Sequence, residues 1–168
     1  MTPAQQAALE GLAGRTLLPA ELSGIELLLN PEDRRDDLIA AVLSAGRTEI
    51  HSRMTSSRGL AELYPAGPAG AEVVLMKLEG AAAALKTSSD QGEKVLGSLI
   101  GRQLGFLNGE GLDFGSGALR GMLDQFVSLG ILTADEVAGL KSIAVRAAPV
   151  PVDVVSRALN IAEGRMVV

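Results

Sequence analysis

The chain of 168 residues has no cysteine, no tryptophan, a single histidine and only four further aromatic rings, three Phe and one Tyr. Without cysteine there are no disulfides, thiolate-bound zinc, iron–sulfur clusters or thiol catalysis, and one histidine excludes any multi-histidine metal site. Four rings argue against modules that stack bases or sugar rings on aromatics. No uncharged apolar run approaches the roughly 18 residues that span a bilayer. The opening segment, MTPAQQAALE, carries neither a basic region nor an apolar core and is not read as a signal peptide. The net charge is -5, and the basic residues are interspersed with acidic ones. Such a surface gains little from counterion release on a polyanion. The expectation is a soluble acidic protein with no nucleic-acid or membrane partner, no metal and no cofactor.

What the sequence does have is aliphatic. Hydrophobic residues make up 47% of the chain, almost all of them Ala, Leu, Val and Ile. Area scaling gives a folded surface of roughly 7,800 Å² against roughly 25,000 Å² unfolded, enough burial for a core without a staple.

Helix punctuation recurs. Thr2-Pro3-Ala4-Gln5 combines a cap, a first-turn proline and a capping-box residue, predicting a helix that ends near Gly14. A short helix is expected from Pro19 to Leu29. Another should start at Asn30-Pro31-Glu32-Asp33, carry Leu38, Ile39, Val42 and Leu43 inward, and end at Gly46. Residues 48–55 fit a strand or a poor helix. Ser56 or Ser57 caps a short helix through Leu63, and Tyr64–Pro68 reads as a loop. Helices are predicted over 72–86, 93–107 and 118–129. In the second, Val95, Leu96, Leu99, Ile100, Leu104 and Leu107 recur at helical spacing. Thr133-Ala134-Asp135-Glu136 is a capping box for a helix that buries Val137, Leu140 and Ile143. Pro149 and Pro151 break the chain before a last short helix with Val155 and Leu159.

These signals predict a mainly α fold: an irregular bundle of six to eight short helices, with room for a small two-stranded β-ribbon. Residues 54–63 and 150–159 both read as an extended lead-in followed by a short helix, so their lead-ins are one candidate ribbon; two unrelated junctions are the simpler reading. The expected organisation is an N-terminal helical segment over 1–30, a helical domain over 31–162 and a frayed tail over 163–168.

Motifs for chemistry are weak. Gly115-Ser116-Gly117 has Arg120 where a dinucleotide fingerprint needs glycine. Gly11–Thr16 lacks the spacing and lysine of a phosphate loop. Asn108, Glu110 and Asp113 share a glycine-rich loop and could touch a cation, but their spacing is not that of an EF-hand. A solvated loop is the simpler reading. His51 has no evident nucleophile partner, and no G-x-S-x-G elbow exists. No catalytic, cofactor-binding or metal-binding residue is assigned. Tyr64, Phe106, Phe114 and Phe126 are expected as core anchors. Phe114, flanked by glycine in its loop, either plugs the domain or meets a partner. Leu129, Ile131 and Leu132 form a second candidate contact ridge, with a helix-end contact as the simpler reading.

Five segments carry a resemblance: Arg58–Tyr64 (RGLAELY), Val74–Ala81 (VLMKLEGA), Gly111–Gly115 (GLDFG), Gly130–Glu136 (GILTADE) and Val152–Asn160 (VDVVSRALN). In that order they resemble small helical proteins encoded in the structural-gene blocks of tailed bacteriophages and prophages, over roughly residues 25 to 160. The resemblance implies a non-enzymatic virion component or assembly factor at the neck, tail or capsid surface. It would be made in the host cytoplasm and contact other virion proteins, itself or both, as a homo-oligomer in the assembly. The resemblance carries no active-site residue. An alternative is a soluble bacterial adaptor or regulatory domain that binds a peptide or helix in a groove. A small hydrolase would need a carboxylate site around Glu110 and Asp113.

Overall fold

Polar caps set several of the helix starts. In the computed structural model, which describes residues 1–165, Thr2 and Gln5 close a capping box before α1 (Pro3–Ala13). Thr133 and Glu136 do the same before α8 (Ala134–Ser142). Each box satisfies two backbone N–H groups that a helix start leaves unpaired. Asp90 caps α6 (Gln91–Asn108) by accepting from the Glu93 N–H at 2.9 Å, and Ser56 caps α4 (Ser57–Leu63). The remaining helices are α2 (Pro19–Leu28), α3 (Asp36–Ser44), α5 (Gly67–Lys86), α7 (Gly117–Ser128) and α9 (Val152–Ala162). The fold is mainly α, with nine helices among the described residues. None of them is long and apolar enough to cross a membrane.

Two boundaries differ from the expected ones for local reasons. Pro31–Asp33 do not open α3. The Asn30 side chain accepts from the Glu32 N–H, and the Asn30 carbonyl accepts from the Asp33 N–H, so the segment is a turn. Conversely, Pro68 does not keep residues 67–71 out of α5. It sits in the first turn, where the missing N–H costs no hydrogen bond.

The chain divides into two compact units, Met1–Glu49 with 146 to the C-terminal end, and Ile50–Val145. This is not the division expected at residue 30. In the first unit, Val155 and Leu159 of α9 share one aliphatic core with Leu9, Ile25, Ile39 and Leu43. Both chain ends are needed to bury those faces. Arg34 links the same elements: its guanidinium donates to Asp36, to Ser156 and to Asn160 at 3.0 Å. The expected fraying does not start at Glu163, which accepts from Gln5 Nε2 at 3.0 Å and lies 3.6 Å from Arg34. Residues 166–168 of the expected tail lie outside the described residues.

The central unit buries Leu60, Tyr64, Val74, Ile100, Phe114, Phe126 and Leu140 in a second core. Residues 48–55, open between strand and helix in the sequence, form β1 (Thr48–Ile50) and β2 (Met54–Thr55). β2 pairs antiparallel with β3 (Leu112–Asp113), Met54 opposite Asp113 and Thr55 opposite Leu112. β1 pairs with β4 (Val145–Ala147). The ribbons therefore join partners other than the two lead-ins at 54 and 150. Gly111 makes the β2–β3 approach possible: its φ is +92°, and a Cβ there would lie 3.2 Å from the Thr55 carbonyl carbon.

Candidate interaction surface

Within the central unit α5 and α6 form a hairpin joined by Thr87–Asp90, and small residues hold the helices close. A Cβ on Gly97 would lie 2.8 Å from the Lys86 nitrogen and 2.9 Å from the Ala82 oxygen. With 100° per residue, Gly97 fixes which side of α6 meets α5. Ile100, Leu104 and Leu107 turn toward the core or partly into it. Apolar residues remain on the other side. Val95, Leu99 and Phe106 are 60%, 38% and 44% exposed and lie along one stripe, the first two one turn apart and Phe106 two turns further on. This corrects the sequence expectation, which placed Val95 and Leu99 on the inner stripe and Phe106 among the core anchors. The signal was present in the width of the pattern: residues 95, 96, 99, 100, 104, 106 and 107 cover more of a helix than one packed face requires.

Two depressions flank the stripe. One, of about 350 Å³, lies along α6 between Gln91 and Arg102 and contains Lys94 but no acidic residue. The other is an open groove of about 560 Å³ between α6 and α7, lined by Leu99, Gln103, Leu112, Leu119, Met122 and Gln125. Leu99 belongs to both, so the apolar surface is continuous from α6 to α7. Beneath it the core has a further cavity of about 30 Å³ lined almost wholly by aliphatic and aromatic side chains. It offers no set of polar partners to hold a water.

The loop carrying Glu110, Asp113 and Phe114 has a different role from those expected. Asp113 Oδ1 accepts from the Arg53 N–H at 2.7 Å and the Gly115 N–H at 2.9 Å, while Oδ2 accepts from the Ser52 hydroxyl at 2.8 Å. These donors, the Arg53 amide first, hold the carboxyl below its usual range. A Cβ on Gly115 would lie 2.1 Å from the His51 oxygen, so only glycine fits that crossing. Asp113 thus ties the loop to the segment before β2. Glu110 is exposed, and among the described residues no group of three or more potential carboxylate or imidazole ligands is assembled. His51, Ser52 and Asp113 are neighbours but not a relay. The Ser52 proton goes to the carboxylate, and the buried His51 Nδ1 has no hydrogen-bond partner.

The proposed contact residues separate. Phe114 is 3% exposed, and Leu132 is equally buried. Both are core, because the Asp113 tie turns Phe114 inward and the Thr133 cap follows directly on Leu132. Their expected partner contact is therefore corrected. Ile131 is half-buried against the same core, whereas Leu129 is exposed at the end of α7. Comparison of the chain with protein-family models, with curated proteins and with solved structures finds no match.

Proposed function

We propose that the chain is a bacteriophage virion structural or assembly protein, acting by protein–protein contact at the neck, tail or capsid surface. The single observation that carries the contact role is the continuous apolar surface from the α6 stripe into the α6–α7 groove. Contiguous exposed apolar surface of this kind marks interaction sites more often than scattered leucines do. The phage assignment rests on the five resembling segments, which fall on α4, α5, the β3 turn, the α7–α8 junction and α9.

The test is quantitative mass spectrometry of purified particles from the phage or prophage that carries the gene. A fixed ratio to capsid or tail protein supports the reading; absence from particles and from assembly intermediates overturns it. The groove of about 560 Å³ favours a second reading, an adaptor that seats a peptide or helix. That reading expects Met122→Glu, on a partly exposed side chain of the groove, to abolish binding of a defined partner while particle assembly proceeds.

A further inference from the structure

Two unpartnered faces on the α5–α6 hairpin are complementary to each other. On α5, Val73 and Met76 are 49% and 62% exposed, and Gly80 continues their line with nothing within 4 Å of its Cβ position. Glu72 and Glu79 run along one edge of that line. On α6 the stripe of Val95, Leu99 and Phe106 is bordered by Lys94 and Arg102. The acids are seven residues apart, about 10.5 Å along the helix, and the bases eight apart, about 12 Å. Among the described residues none of these four charges makes an ion pair; Lys77, on the other edge of the α5 line, is already paired with Glu136 at 2.6 Å.

The two faces cannot meet within one molecule. At 100° per residue the α6 stripe centres about 180° from Gly97, and the α5 line about 150° from Ala82, the two residues at the hairpin contact. Each face points away from the helix that carries the other.

We propose that the central unit binds a second copy of itself head to tail, the α5 face of one molecule docking on the α6 face of the next. This rests on reading the chain as an assembly subunit. With the two helices antiparallel, Glu72 meets Arg102 and Glu79 meets Lys94; Val73 and Met76 then lie opposite Leu99 and Val95, and the open Gly80 leaves room at the Val95 end. Because the two patches differ, the contact is heterologous. Repeated, it closes a ring or continues as a filament. Opposite charges along the edges fix the register and disfavour α5 on α5 or α6 on α6, where like charges would face each other.

A heterologous contact has a signature that a symmetric one lacks. Met76→Arg disables the α5 face and Val95→Glu the α6 face, each by setting a like charge against the opposing edge. Both positions are exposed, so each variant should keep the wild-type circular dichroism and melting temperature. In sedimentation of the full-length chain, the wild type should form closed rings or a concentration-dependent series. Each variant alone should be monomeric, its dissociation constant raised at least about 100-fold. Mixed in equal amounts, the two variants should associate again, since the mixture pairs the intact α6 face of one with the intact α5 face of the other. A wild-type chain monomeric at its highest soluble concentration overturns the proposal, and so does a mixture that stays monomeric. Particle composition is a separate readout: a self-associating chain absent from particles removes the virion role and leaves this contact standing.

Discussion

All four Phe and Tyr rings belong to the central unit, and the unit built from both chain ends has none. The terminal unit relies on aliphatic residues from sequence-distant helices, closed by the Arg34 and Gln5 hydrogen bonds to α9 and Glu163. Its exposed apolar residues, Leu18, Leu27, Leu38, Val152 and Ile161, come from three helices and a loop. The central unit packs three rings inside and presents the fourth, Phe106, in a stripe with unpaired charges along its edge. The difference separates two uses of apolar surface. In one unit the exposed apolar residues are scattered; in the other, part of them line up along one face of a helical hairpin.

The comparison can be broken by removing core groups. Phe126→Ala should cost about 4 kcal/mol, the largest effect, because the central unit loses a ring that is 2% exposed. Leu159→Ala in the terminal unit should cost about 3 kcal/mol, since an aliphatic core leaves a smaller void. Chemical denaturation reads both; equal or reversed losses contradict the assignment of the rings as the main central anchors. Gly115→Ala should follow at about 2 kcal/mol, because its methyl group meets the backbone of His51 and one strand crossing must shift.

Acid sharpens the comparison. Glu21 in the terminal unit is pushed down to about 2, first by its Arg15 hydrogen bonds and then by the Leu18 N–H. In the central unit Asp113 is lowered by its backbone donors, and Glu136 by Lys77 first. Each folded value lies below the unfolded one. The stabilisation is therefore complete above the ordinary carboxylate range near pH 4 and is lost as pH falls through the folded values. The denaturation midpoint should decline from about pH 4 toward pH 2, and Asp113→Asn should reduce that slope. A midpoint independent of pH there contradicts these ties. The smallest effect is expected at Leu129→Ala, within about 0.5 kcal/mol because the side chain is already exposed.

Much of the helical content was legible in the sequence because caps and first-turn prolines act locally: Thr2, Ser56, Thr133 and the Pro3 start are all used as their chemistry suggests. The ribbons were not, because pairing of residues 54–55 with 112–113 depends on a close approach at Gly111 and Gly115 that looks like any turn in one dimension. The interaction surface was half legible. Periodicity identified the apolar residues of α6, but it could not tell Leu104, which meets the core, from Val95, which does not; that depends on where α5 lies. Phe114 was visible as either plug or contact, and the three donors to its neighbour Asp113 decide for the plug.

The absence of native cysteine makes the central claim directly measurable. Met76→Cys and Val95→Cys each introduce a single thiol on one hairpin face, and Leu27→Cys places a control on the terminal unit, where the side chain is 81% exposed. The rate of alkylation is followed as protein concentration rises. The account predicts increasing protection at positions 76 and 95 together, with position 27 unchanged. Equal reactivity at all three positions across the whole concentration range would contradict it.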